Sequence, residues 1–95
     1  MKDMEPDDYN LSSAKPVTAL AAWMTIANIR RNDLASDSNV SNPTVTAARQ
    51  GSVTRSSAAL LSMSTGLPAE TIAKGQAAIH WRFRLSADRT VEVLP

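Results

Sequence analysis

Apolar positions in the first third of the chain recur at helical spacing: Val17, Leu20, Ala21, Met24 and Ala27, with Trp23, Ile26 and Ile29 widening the stripe. Ser12 or Ser13 suits the cap of such a helix. Pro16 is tolerated in a first turn, where amides lack partners, and Arg30-Arg31 suit the carboxyl end of the helix dipole. The breadth of the apolar face predicts two neighbours, the rest of the domain and a second protomer, with Trp23 and Met24 in the core or in the dimer contact. From Asn32 to Gly51 the pattern fades around SDSNVSNP. Two readings stand here: Asn42-Pro43 opens a short helix running through Arg49 with Gly51 as its stop, or the stretch is a disordered connection.

Periodicity returns after Val53. Thr54 suits an N-cap, and the helix that follows is expected to turn Ala58, Leu60, Leu61 and Met63 inward. Gly66 sits where a tight or left-handed turn costs glycine least, with Leu67 tucked beneath it. Pro68 then opens a third helix, its φ already set, with Ile72, Ile79 and Phe83 along the inner face and Gly75-Gln76 as weak points. Two strand-like runs, Phe83 to Leu85 and Val91 to Leu94, flank Ser86-Ala87-Asp88-Arg89-Thr90 and predict a hairpin. The fold expected is mainly α with a small β-hairpin: a winged helix-turn-helix of three main helices plus a C-terminal wing. Residues 1–12 are expected to be a flexible acidic tail and 13–95 a single domain.

Composition narrows the chemistry. The chain of 95 residues has no cysteine and one histidine, His80. A disulfide framework and a thiolate metal site are excluded, and no nucleophile–base–acid set is expected around the lone histidine. A glycine-rich phosphate loop is also missing, since Gly66 to Gly75 lacks the spacing and the lysine. The expectation is a protein that is not an enzyme and takes no metal or cofactor, with His80 structural. The apolar run from Val17 to Ile29 is too short to span a bilayer and is broken by Thr18, Thr25 and Asn28. Asp3, Glu5, Asp7 and Asp8 precede it in place of a basic leader, so no membrane segment is expected and the location is read as cytoplasmic.

Residues 53–95 resemble bacterial winged helix-turn-helix transcriptional regulators. In these a segment like S-x-S-A-L-A-x-x-x-G-L-P-x-E-T-V-R-R precedes a wing. The matching run here is Ser56 to Leu61, then Thr65-Gly66-Leu67-Pro68-Ala69-Glu70-Thr71-Ile72, and Ala27-Asn28 is similar to an Ala-Asn pair in the family's first helix. The resemblance implies a DNA-binding transcriptional regulator whose helix-turn-helix is 54–82 and whose wing is 83–95. Pro68, Ala69, Glu70, Thr71 and Lys74 would belong to the recognition helix, Arg55 and Ser56 would touch phosphate, and Arg89 would sit at the wing tip. Arg82 and Arg84, on either side of Phe83, point away from the core if that segment is extended, and Arg84 joins the expected DNA contacts. The departure is Ala73-Lys74, where the family pattern carries two basic residues.

Charge follows the same division. Residues 1–48 carry four basic against six acidic side chains, a net −2, and residues 49–95 carry six against three, a net +3. The partners expected are therefore double-stranded DNA and a second copy of the chain. The alternative is a protein–protein interaction module or phage assembly subunit on the same fold. The alanine-rich outer face of the third helix motivates it, and Glu70 and Lys74, four apart, would then pair with each other.

Overall fold

The computed structural model describes residues 8–95 and differs from the expected architecture at both ends. The order is β1 (Asp8–Thr18), α1 (Ala19–Ala27), α2 (Arg31–Ser38), α3 (Asn42–Arg49), α4 (Arg55–Thr65), α5 (Ala69–Lys74), β2 (Ala77–Leu85) and β3 (Val91–Leu94). Five helices pack on a three-stranded antiparallel sheet, β1-β2-β3, with β2 in the middle. This small α/β fold begins with a strand. It is not the winged helix-turn-helix of three helices plus a C-terminal wing.

The first difference is β1. Residues 8–12 of the expected acidic tail are paired strand, with Tyr9 opposite Phe83, Leu11 opposite Trp81 and Ser12 opposite His80. Tyr9 and Leu11 pack toward the core while Asn10 and Ser12 stay exposed, the period of two that strands impose. The ladder slips between Ser12 and Val17, and Pro16, which has no amide proton to offer, lies in that irregular stretch. Thr18, not Ser12 or Ser13, caps α1: its Oγ1 accepts from the Ala21 amide at 3.2 Å and donates to the Arg49 carbonyl at 2.8 Å. The helix stops at Ala27, short of Arg31, because Asn28 turns left-handed (φ 56°) and the Ile29 amide reaches back to Met24 at 2.9 Å.

The second difference lies after α5. Gly75 takes φ +61° and ends the helix at Lys74, so the third helix expected to run to residue 82 has six residues. Gly51 (φ +91°) and Gly75 meet backbone to backbone, and a Cβ on Gly51 would lie 2.7 Å from the Gly75 carbonyl oxygen. The run Ala77–Leu85 becomes strand because β1 pairs along it. Phe83 is buried, with Trp81 and Leu85 partly so, while His80, Arg82 and Arg84 are exposed. Ile79, expected on an inner helix face, is exposed too.

The core joins both layers. Leu20, Leu34, Val45, Leu61, Leu67, Ile72, Phe83 and Val91 are its largest fully enclosed side chains. Trp23 packs edge-on to Tyr9 and Phe83 at 5.7 and 5.3 Å between ring centroids, and Trp81 stacks on Phe83 at 6.0 Å. The Trp81 indole donates to the Val17 carbonyl at 2.7 Å. Trp23 and Met24 are thus consumed inside one protomer and are not open to the expected dimer contact. In α4 the buried positions are Ala58, Leu61 and Thr65. Leu60 and Met63, expected to face inward, fall on the opposite side of that stripe, with Met63 83% exposed.

Candidate nucleic-acid interface

The residues expected to meet DNA are divided between the two ends of α4. Arg55 and Ser56 are exposed in its first turn, where Thr54 Oγ1 accepts from the Ser57 amide at 3.2 Å. Arg89 lies in the β2–β3 turn with φ +70°, against the other end of the helix, where the Val91 amide donates to the Gly66 carbonyl at 2.8 Å. Eleven residues separate these ends, about 16 Å at the α-helical rise. Arg84 is on the outer face of the sheet, held by Asp8 at 2.9 Å, and Arg82 donates to the Pro95 carbonyl. The hydrogen bond from Arg84 lowers the Asp8 pKa below the ordinary carboxylate range, with the nearby charges of Arg84 and Arg82 adding to it.

Pro68 stands outside α5, at its N-cap. Glu70 and Lys74 pair one turn apart at 3.8 Å, both well exposed, so the single cation of this helix is matched by its single anion. Ala69 and Ala73 are half-buried, Thr71 likewise, and the two alanines share a groove with Arg55, Ala58, Glu70 and Lys74. The alanine-rich face therefore lines an open groove.

A different helix pair has the more open polar face. α2 and α3, eight residues each, are joined by Asn39-Val40-Ser41. Asn39 turns left-handed (φ 59°), the Val40 amide closes on the Ala35 carbonyl at 3.0 Å, and Ser41 Oγ caps α3 by accepting from the Thr44 amide at 3.3 Å. Leu34, Ala35 and Ser38 of α2 and Val45 and Ala48 of α3 are buried, which fixes the pair to the core. Asn42, Pro43, Arg49 and Gln50 are exposed and Thr46 is half-exposed. Open grooves flank this ridge: one lined by Arg31, Asn42, Thr46 and Gln50, one by Thr18, Ala21, Arg49 and Ala77, and one by Thr44, Ala47, Thr54 and Ser57 at the start of α4. Arg31 Nη1 donates to Thr46 Oγ1 at 3.2 Å, so a guanidinium lies across the middle of α3.

The electrostatics agree. From Ser38 to Ala69 the sequence contains no acidic residue, while Arg49 and Arg55 are both within that stretch and Arg31 joins it through Thr46. The ion pairs among the described residues, Lys74–Glu70 and Arg84–Asp8, involve none of these three arginines. Sequence reasoning placed α3 as one of two options but assigned it no function. The acid-free stretch was the available signal, and a count by halves of the chain diluted it. Among the described residues no group of three or more His, Asp or Glu is placed to hold a metal, and no helix is long and apolar enough to cross a membrane. No protein-family model matches the chain, and comparison with curated proteins and with solved structures returned no match.

Proposed function

We propose that this protein binds double-stranded DNA, as a transcriptional regulator does, through the surface formed by Arg31, α3 and the start of α4. The observation that carries the reading is that Arg31, Arg49 and Arg55, none of them in an ion pair among the described residues, line neighbouring grooves, with Arg49 and Arg55 inside the acid-free stretch 38–69. Cations of this kind neutralise backbone phosphates and release counterions, and guanidinium groups also match phosphate oxygens in pairs. The polar side chains between them, Asn42, Thr46 and Gln50, belong to types that bond base edges or sugar–phosphate.

The test is a binding series on a duplex of mixed sequence across salt concentration. One phosphate neutralised by each of the three arginines gives a log K against log salt slope of roughly −3, reduced by about 1 for each arginine changed to alanine. Substituting Arg84, paired on the sheet, is expected to leave the slope unchanged. Binding that is undetectable at low ionic strength, or indifferent to salt, overturns the proposal.

A further inference from the structure

Resting on the DNA-binding reading, we infer that α3 reads base edges in the major groove through Asn42, Thr46 and Gln50, and that α5 does not. These three residues are four apart, so they lie along one face of α3 and its C-cap. An α-helix with its side chains is about 10–12 Å across, which the major groove of B-form DNA, about 12 Å wide, admits. Asn and Gln have the paired donor and acceptor that match adenine, and threonine offers a hydroxyl to any base and a methyl to thymine.

The local build suits insertion. α2 packs against both α3 and α4, with Leu34, Ala35 and Ser38 buried and Ser38 bonded to Ser64, and the three-residue turn with its left-handed Asn39 joins α2 to α3. Grooves on both flanks of α3 leave room for the walls of a duplex. Arg31, bonded to Thr46, and Arg49 at the carboxyl end set guanidinium groups beside the reading face. α5 has its own left-handed turn at Gly66 and a groove shared with Arg55, but it is shorter, with six residues, and its only cation is engaged by Glu70. A carboxylate in its first turn would also face phosphate.

The experiment is selection from a randomised duplex pool, followed by affinity and salt-slope measurement on the preferred duplex. It compares the unmodified protein, Asn42→Ala, Gln50→Ala and, on α5, Thr71→Ala, all with thermal unfolding checked. The two α3 variants are expected to lose roughly 5- to 100-fold on the preferred duplex and to select a changed sequence, with the salt slope and the affinity for mixed-sequence duplex retained. Thr71→Ala is expected to select the original sequence. Duplex RNA of the same sequence is expected to compete poorly, because its major groove is too deep and narrow for a helix. A pool without preference, α3 variants that select the original sequence, a preference moved by Thr71→Ala, or preferential binding of duplex RNA each overturns this inference while salt-dependent duplex binding stands. Absence of duplex binding by the unmodified protein overturns the DNA reading itself.

Discussion

Gly66 ends α4 at φ +86°, and its hydrogen position points at the carbonyl of Arg89 in the hairpin turn. Any Cβ there meets that oxygen at clashing distance and also lies 3.2 Å from a Val91 methyl, while the backbone conformation itself disfavours a side chain. Gly66→Ala is accordingly expected to destabilise the fold by on the order of 2 kcal/mol or more, read as a lowered urea midpoint. The Asp8–Arg84 pair answers to pH. Because bonding to Arg84 depresses the native Asp8 pKa, its stabilisation is present above the carboxylate range and is lost as the solution is acidified through the native value. Asp8→Asn should lower Tm slightly at neutral pH, and the gap to the unmodified protein should close on acidification. A gap that persists in acid would mean the two side chains do not act as an ion pair. Arg89 and Asp88 show a similar local logic: the Thr90 amide bonds the Asp88 carboxylate at 3.1 Å and lowers its pKa, setting the turn in which Arg89 takes positive φ.

Among the elements, those with terminal signals of their own were readable and those that depend on a partner were not. α3 begins at Asn42-Pro43 behind a Ser41 cap and ends before Gly51, as one of its two readings had it, and α4 begins at Thr54 and turns at Gly66. α2 has Leu34 and Ala35 as its only apolar residues, too few for a periodicity, and is helical because those two and Ser38 are enclosed by the core. β1 reads as acidic tail up to residue 12 and as helix beyond it, because Val17 is in phase with Leu20, Ala21 and Met24, yet Tyr9 and Leu11 find strand partners 70 or more positions away. The cap on α3 matters to both fold and function. Ser41→Ala is expected to cost about 1 kcal/mol of stability, measured by chemical denaturation. It should also weaken duplex binding, since a frayed first turn misplaces Asn42. Unchanged stability would show that Ser41 Oγ is not a working cap.

For the molecule as a whole, the sequence by itself determined the material of the core, aliphatic residues with four aromatics, the absence of cysteine and a basic second half. It also placed the turns at Gly66 and between β2 and β3, because Gly, Pro and polar turn residues act on the backbone within a few residues of themselves, but not those at Asn28, Asn39 and Gly75. Leu67 tucks beneath the Gly66 turn, buried as its position suggested, and Glu70 pairs with Lys74. The tertiary structure alone decided that Ala77–Leu85 is strand, which of the core and dimer readings holds for the buried Trp23 and Met24, and that the open polar ridge is α3. Each of these depends on a partner distant in sequence: β1 for β2, Tyr9 and Phe83 for Trp23, and the Gly51–Gly75 contact for the early end of α5. Local pattern records what a segment favours alone. Long-range pairing and burial are worth more than that preference, and they settle which face of each element is left for a partner.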